Sequence, residues 1–415
     1  MFELDKIKKD YSDCECGVLH NTSVKEVVIG SGITEKTGEI LKRNGFGEKL
    51  LVIADENTLK AANGVEKALD GFKKEYKIYD NLREATVSET ENVKKLLAVS
   101  DGVIAVGTGS LHDISRKAAA DLDKKLCLFA TAPSMDGFAS YSSPLVDGNF
   151  KITYPAKSPE VIIGDTRILA KSPVYLKSAG FGDMVGKYVG LIDWQTSHLI
   201  SGEYYCEKIA ALTRKATDKI MSLSERITAD DEESAGEVFK ALLLTGIGMS
   251  FVKSSRPASG TEHILSHFWE CKKLLKGELS SFHGKKVGVA TLLIMKEYKK
   301  LLEKSFVKAH KEVNDWQDIY NAYGELKDEV IKLNTPTTIT DDVNPRDIEK
   351  HWDEIRKIIA SVPNEEEIYS ALKRAGCATT AAEIGVSENL KEQGLKYHPY
   401  MRRRLSLYRL KNMID

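Results

Sequence analysis

The sequence has no excess of charge of either sign. Its 60 lysines and arginines face 61 aspartates and glutamates, which leaves a net charge of −1. Nucleic-acid proteins need a basic surplus for phosphate contacts, so that class is set aside, although a local basic pocket for one small anion stays open. Long apolar runs are also missing. The longest uncharged apolar stretch, Ala241 to Val252, is too short to cross a bilayer and carries two glycines. The first ten residues, MFELDKIKKD, are charged throughout and lack the apolar core of a signal peptide. Six cysteines among 415 residues are too few for a disulfide framework. The expectation is a cytoplasmic protein with reduced thiols and no membrane partner. Neither a fixed-period repeat nor a low-complexity tract is visible.

What is present is an ordinary globular composition, with 42% hydrophobic and 29% charged residues. At roughly 150 residues per domain the length suggests two or three domains. The first part alternates strand-like and helix-like segments. Strands are expected at Glu26–Ile29, Lys49–Ala54, Glu75–Tyr79, Gly102–Val106 and Leu126–Ala130. Helical periodicity lies between them at Thr58–Leu69, Glu89–Val99 and Ile114–Ala120. Strands separated by helices make a parallel sheet, which binds ligands beyond the carboxyl ends of its strands. Lys151–Tyr154 and Glu160–Ile163 are β-like and flank a Pro/Lys/Ser turn, which predicts a hairpin between them. From Pro173 onward the pattern is almost wholly helical. The boundary is placed near Gly164, giving units 1–164 and 165–415.

Several motifs carry chemistry. In Val103-Ile-Ala-Val-Gly-Thr-Gly-Ser-Leu-His-Asp113 a buried strand runs into a glycine turn and a helix start. Free amides and the positive end of the helix dipole suit a pyrophosphate; a plain tight turn has the same spelling. Asp55 ends a strand, where it either accepts ribose hydroxyls and disfavours a 2′-phosphate, or caps the helix opened by Glu56, Asn57 and Thr58. Thr131-Ala-Pro-Ser-Met-Asp-Gly-Phe-Ala-Ser140 follows another strand end with small and hydroxyl residues that suit a cofactor wall, and Asp136 there suits a substrate hydroxyl; a polar loop is the plainer reading. Asp183 sits among glycines in AGFGDMVGKY, where a helix cap is the simplest explanation.

His263 and His267, four residues apart, share a helical face, and His283 lies on the next segment. Two imidazoles and a carboxylate make a divalent-metal shell with open positions. Near the N-terminus Cys14, Cys16 and His20 supply three soft ligands, with no fourth at matching spacing. Cys127, Cys206, Cys271 and Cys377 read as core or surface thiols, and Arg402, Arg403 and Arg404 as a solvated helix face or a contact with the chain's own acids.

Taken together, TAPSMDGFAS, AGFGDMVGKYVGLIDW and SRPASGTEHILSHFWE with SFHG resemble the sn-glycerol-1-phosphate dehydrogenase family, its bacterial branch above all. That family lies within the iron-alcohol-dehydrogenase, glycerol dehydrogenase and dehydroquinate synthase superfamily. The resemblance runs from about Val27 into the C-terminal helices. It implies an α/β Rossmann-like N-terminal domain, an all-α C-terminal domain and an active site in the cleft between them. By motif match, Asp183, His263 and His283 would be metal ligands, and Asp136, Asp183 and His267 would meet substrate and carry catalysis. Asp55, Gly109, Ser110, Leu111, His112, Asp113, Thr131, Ala132, Pro133, Ser134 and Ser140 would bind the cofactor.

The activity implied is metal-assisted, NAD(P)H-dependent reduction of dihydroxyacetone phosphate to sn-glycerol 1-phosphate in phospholipid biosynthesis. NAD is favoured by Asp55, with one Zn, Ni or Fe ion and a homodimeric assembly. His267, with its ordinary pKa near neutrality, is the expected proton relay. Lys187, Lys253 and Arg256 flank the motifs as choices for the substrate phosphate. Thr108 stands where many relatives carry glycine, so it must avoid positive φ or accept strain. The alternatives are a glycerol or other polyol dehydrogenase, a dehydroquinate-synthase-like lyase, or a non-catalytic protein on the same fold.

Overall fold

A computed structural model describes residues 2–415. Its sheet is built from runs that have no polar face to turn to water. Val52, Ile53, Val103, Ile104, Ala105, Val106, Leu128 and Phe129 are all fully buried, so both faces of these strands must be covered by helices. Six strands pair in parallel: β1 (Glu26–Gly30), β2 (Lys49–Asp55), β3 (Lys73–Tyr79), β4 (Gly102–Gly107), β5 (Lys125–Ala130) and β8 (Val161–Asp165). Their order is β1-β8-β5-β4-β2-β3. Alternate residues feed two apolar layers: Val52, Ala54, Ile104 and Val106 on one face, Leu51, Ile53, Val103 and Ala105 on the other. The chain leaves β2 outward to β3 and then returns to the other side of β2 as β4. The strand order therefore reverses between β2 and β4, and Asp55 and the Gly107–Gly109 turn stand at that reversal.

The expected hairpin is wrong in its partner. Lys151–Tyr154 lies in β7 (Phe150–Pro155), which pairs antiparallel with β6 (Ser142–Asp147), while Val161–Asp165 enters the parallel sheet between β1 and β5. The hairpin loop is Gly148-Asn149, both with positive φ (52° and 64°), which is the two-residue turn whose twist matches paired strands. Its sequence signal is Asp-Gly-Asn. The fully buried Val161-Ile-Ile-Gly run is that of a central strand. The helix expected over Thr58–Leu69 is two short helices, Glu56–Ala61 and Val65–Ala68, separated by Gly64 at φ 96°.

After β8 the chain is helical. The helix Val174–Ser201 runs through the middle of this half and packs along the helix His283–Leu302. Glu232–Val252 is long and apolar enough by composition to cross a membrane, but 83% of its apolar window is buried inside the protein. Several parts of the first 164 residues pack with the helical core, among them Phe2 and Leu4 at the N-terminal helix Leu4–Ser12, Phe150 of the hairpin, and the loop carrying Met135, Phe138 and Ala139.

Candidate active site

A cavity of about 1020 Å³ separates the strand ends from the helices, and its two walls are built on different principles. The sheet wall uses backbone and small side chains. Thr108 is extended (φ −144°, ψ −167°), so its Cβ causes no strain where it replaces a glycine. The helix Gly109–Asp121 starts directly after it with no side-chain cap, and a Cβ at Gly109 would meet nothing within 4 Å. Free first-turn amides thus face open space at the positive end of a helix. Asp55 combines both of its sequence readings. Its Oδ1 accepts the Thr58 amide at 2.8 Å in a capping box, and the residue also lines the cavity.

Ser110, Leu111, Asp113, Thr131, Ser134 and Ser140 join the same wall. His112, Ala132 and Pro133 do not. His112 is fully buried with its ring edge-on to Phe138 at 5.4 Å, and its amide is spent on the Thr108 carbonyl. Helical periodicity turns it away from the cleft. Ala132 is buried, and the Pro133 carbonyl lies where a Cβ on Gly180 would come within 1.8 Å of it. Asp113 is held by Arg116 at 2.6 Å, and burial pushes its carboxyl up to about 6.

The helical wall works with charged side chains. Asp183 is not a cap: it lies inside Val174–Ser201, wholly buried. The neighbouring glycines allow close helix contact rather than a turn. A Cβ on Gly182 would sit 2.5 Å from the Gly284 carbonyl, and one on Gly284 would sit 1.8 Å from the Ala179 carbonyl. This approach brings His283, the first residue of its helix, to Asp183. Asp183 Oδ1 lies 3.4 Å from His263 Nε2 and 3.9 Å from His283 Nε2, and all three ligand atoms fall within 4.8 Å of one another. Glu262 Oε1 faces His263 Nδ1 at 2.5 Å, which leaves Nε2 for the centre. Burial alone would lower His263, but the Glu262 and Asp183 carboxylates outweigh it and raise the ring to about 9. Burial drives His283 well down. One carboxylate and two imidazoles from three helices, with a side open to the cavity, fit a divalent cation with room for a further ligand.

Lys187 is buried between Asp136 (2.6 Å) and Asp183 (2.8 Å). These carboxylates overcome its desolvation and raise its pKa, so it is committed to them and not to a phosphate. Arg256 is likewise committed to Glu203, and Lys253 is exposed beside the Tyr141 ring. The unforeseen cations are Lys151 on β7 and Lys286 one turn beyond His283. Both reach one carboxylate, Glu270, at 2.9 and 2.8 Å, so two cations share one ion-paired acid at the cavity wall, with Glu84 and Arg83 in electrostatic range. Glu270 was legible as the acid three residues after His267. Nothing local to Lys151 marked it, because the hairpin brings it in.

His267 departs from its expected pKa. Burial pushes it down to about 3 against the opposing pull of Glu270, whose Oε2 lies 3.4 Å from Nδ1. The arginine run is no solvated helix face. Arg402 donates to the Lys151 carbonyl and Arg404 to the Ser259 carbonyl and Ser255 hydroxyl, which fastens the cavity-lining Ser255–Ser259 loop.

Residues 28–173 match the iron-containing alcohol dehydrogenase family. A glycerol-1-phosphate dehydrogenase [NAD(P)+] of Halalkalibacterium halodurans is 30% identical over 413 residues, covering 97% of this chain and 96% of the relative. The chain belongs to the glycerol-1-phosphate dehydrogenase family. Its Pyrococcus furiosus member is 30% identical over 364 residues, 86% of this chain and 95% of the relative. Among solved structures, an iron-containing alcohol dehydrogenase from Corynebacterium glutamicum superposes with a TM-score of 0.63 at 14% identity, covering 94% of this chain and 92% of that one. A sulfoacetaldehyde reductase from Bifidobacterium kashiwanohense, in complex with NAD+, gives 0.62 at 13% identity, covering 95% and 96%. These two likenesses bear on the fold alone.

Proposed function

We propose that this protein interconverts dihydroxyacetone phosphate and sn-glycerol 1-phosphate with a nicotinamide cofactor and a divalent metal ion. Family membership supports the reaction. The single observation that carries the phosphorylated substrate is the cation pair of Lys151 and Lys286 beside the Asp183, His263 and His283 cluster. When bound, the cofactor exchanges a hydride with the substrate carbon, and the cation polarises the oxygen on that carbon.

The chain's own residues do the rest. Asp183, His263 and His283 would hold the cation. The Gly109–Leu111 amides would receive the cofactor pyrophosphate, and the second carboxylate oxygen of Asp55 its ribose. That oxygen would repel a 2′-phosphate, which favours NAD over NADP. Thr131, Ser134 and Ser140 supply hydroxyls along the cofactor. Lys286 and Lys151 grip the phosphate as a charge-assisted pair and so orient the three-carbon chain. Asp136, fixed by Lys187, faces a substrate hydroxyl. His267 gives its Nδ1–H to Glu270 and keeps Nε2 as an acceptor. Kept neutral by burial, it can accept a hydrogen bond from the substrate hydroxyl at Nε2 and so orient it, and the proton itself passes between that oxygen and water.

Residues 1–164 act in this reading as the dinucleotide unit and 165–415 as the metal and substrate unit. A cytoplasmic homodimer belongs to the same reading, and sedimentation of the full chain tests the dimer. The function is tested by NADH oxidation on dihydroxyacetone phosphate, before and after treatment with a chelator. Chelator-sensitive turnover is expected. Oxidation of free glycerol with none of its 1-phosphate would overturn the reading in favour of a polyol dehydrogenase. Turnover with no net nicotinamide change would favour a lyase.

A further inference from the structure

Among the described residues a second cluster of metal-ligating side chains lies apart from the cavity: Cys14, Cys16, His20 and Cys206. The fourth ligand missing from the N-terminal motif arrives from far along the chain. Cys206 precedes the helix Glu207–Met221 and is fully buried, as is nearly all of His20. All four ligand atoms lie within 4.8 Å of one another. Cys14 Sγ is 3.6 Å from Cys206 Sγ, and His20 Nε2 is 3.2 Å from Cys16 Sγ and 3.4 Å from Cys206 Sγ. A tetrahedral zinc with Zn–S near 2.3 Å and Zn–N near 2.0 Å has ligand edges of about 3.8 Å between sulfurs and about 3.5 Å from sulfur to nitrogen. The observed spacings lie within a few tenths of an ångström of those edges.

The surroundings are arranged for the same purpose. Gly17, at φ 76°, donates to the Cys14 carbonyl at 3.1 Å and folds Cys14 and Cys16 to one side. His20 Nδ1 faces the Phe251 carbonyl at 3.3 Å, so Nδ1 carries the proton and Nε2 is free to ligate. The Tyr204 hydroxyl lies 3.2 Å from Cys16 Sγ and serves as a donor to a thiolate. All six cysteines are free.

We propose that Cys14, Cys16, His20 and Cys206 form a second metal centre, a closed tetrahedral site for a borderline-soft divalent cation, zinc before the others. Three thiolates and one imidazole fill the coordination sphere, so the site is structural and leaves no position for substrate. It ties the segment from the helix Leu4–Ser12 to His20, which packs on the helical core, to the start of the Glu207–Met221 helix. Metal uptake displaces the thiol protons, so the cation also fastens this junction.

The test uses the full chain with the catalytic cluster disabled by Asp183→Ala and His263→Ala together. Elemental analysis is expected to find one zinc per chain still bound, and none after a further Cys14→Ser and Cys206→Ser. Because the cysteine variants can fail to fold, the unaltered protein grown on cobalt supplies an independent readout. Thiolate-to-cobalt charge transfer and intense tetrahedral d–d bands are expected, and the Asp183 and His263 substitutions should leave them unchanged. Loss of all zinc with the catalytic cluster, absence of those bands, or a Cys14–Cys206 disulfide in the peptide map would each overturn the proposal.

Discussion

The two walls of the cavity are built by opposite means. The sheet wall presents backbone amides and small residues set by local sequence at strand ends, with Asp55 at the end of its strand and Asp113 paired to Arg116. The helical wall presents buried charges drawn from helices far apart in sequence, each neutralised by a named partner: Asp183 by Lys187, His263 by Glu262, Glu270 by Lys151 and Lys286. A wall of amides tolerates substitution because no single side chain carries it. In a wall of buried charges, removing one member leaves another unpaired in a low-dielectric interior.

The largest test of this difference is Asp183→Ala. It removes a proposed metal ligand and leaves Lys187 with Asp136 alone, so kcat/KM should fall by about 10³-fold or more, with bound metal at the cleft lost by elemental analysis. Next is acidification, which acts through buried imidazoles. His112, His267 and His398 are each pushed down to about 3 by burial. Their folded pKa lies below the ordinary 6.5, so their contribution to stability is complete above 6.5 and is lost as pH falls toward 3. Each costs about 1.4 kcal/mol per pH unit over that window. In the metal-free protein His263, raised to about 9, has the opposite sign, and its contribution disappears as pH climbs from 6.5 through 9. Thermal midpoints of the chelator-treated protein measured from pH 5 to pH 10 should therefore fall at both ends, most steeply on the acid side.

Lys286→Met tests the phosphate grip. Losing a charge-assisted contact of about 1.5–3 kcal/mol should raise KM for glycerol 1-phosphate by about 10- to 100-fold, and leave NAD affinity unchanged. An equal rise for NAD would place the cation in the cofactor wall instead. The smallest effect is expected from Asp55→Ala. Loss of the cap removes about 1 kcal/mol of stability in a denaturant titration, and the ratio of NADPH to NADH efficiency should rise.

Much of the sheet wall could be read from sequence because its determinants are contiguous. Buried runs such as Leu50–Ala54 and Val103–Val106 announce central strands, and the glycine turn follows its strand directly. The strand Val161–Asp165 was misassigned because a short apolar run does not say whether its neighbour is parallel or antiparallel. The helical wall was partly legible: His263, His267 and His283 stand close in sequence, and Asp183 falls in a glycine pattern. That pattern suggested a cap, yet its use is to let two helices approach until a Cβ no longer fits. Nothing near Lys151, Cys206 or Arg404 in the sequence showed which distant groups they meet.

Sequence alone determined the alternation of strands and helices, the glycine turn that frees helix amides, and the inventory of carboxylates, imidazoles and thiols. Those features depend on neighbours within a few residues, where backbone preference and burial leave few choices. Only the tertiary structure decided which of those groups meet. The Asp183 centre and the Cys206 cluster each join segments tens to hundreds of residues apart, and helix packing, not spacing along the chain, fixes such distances.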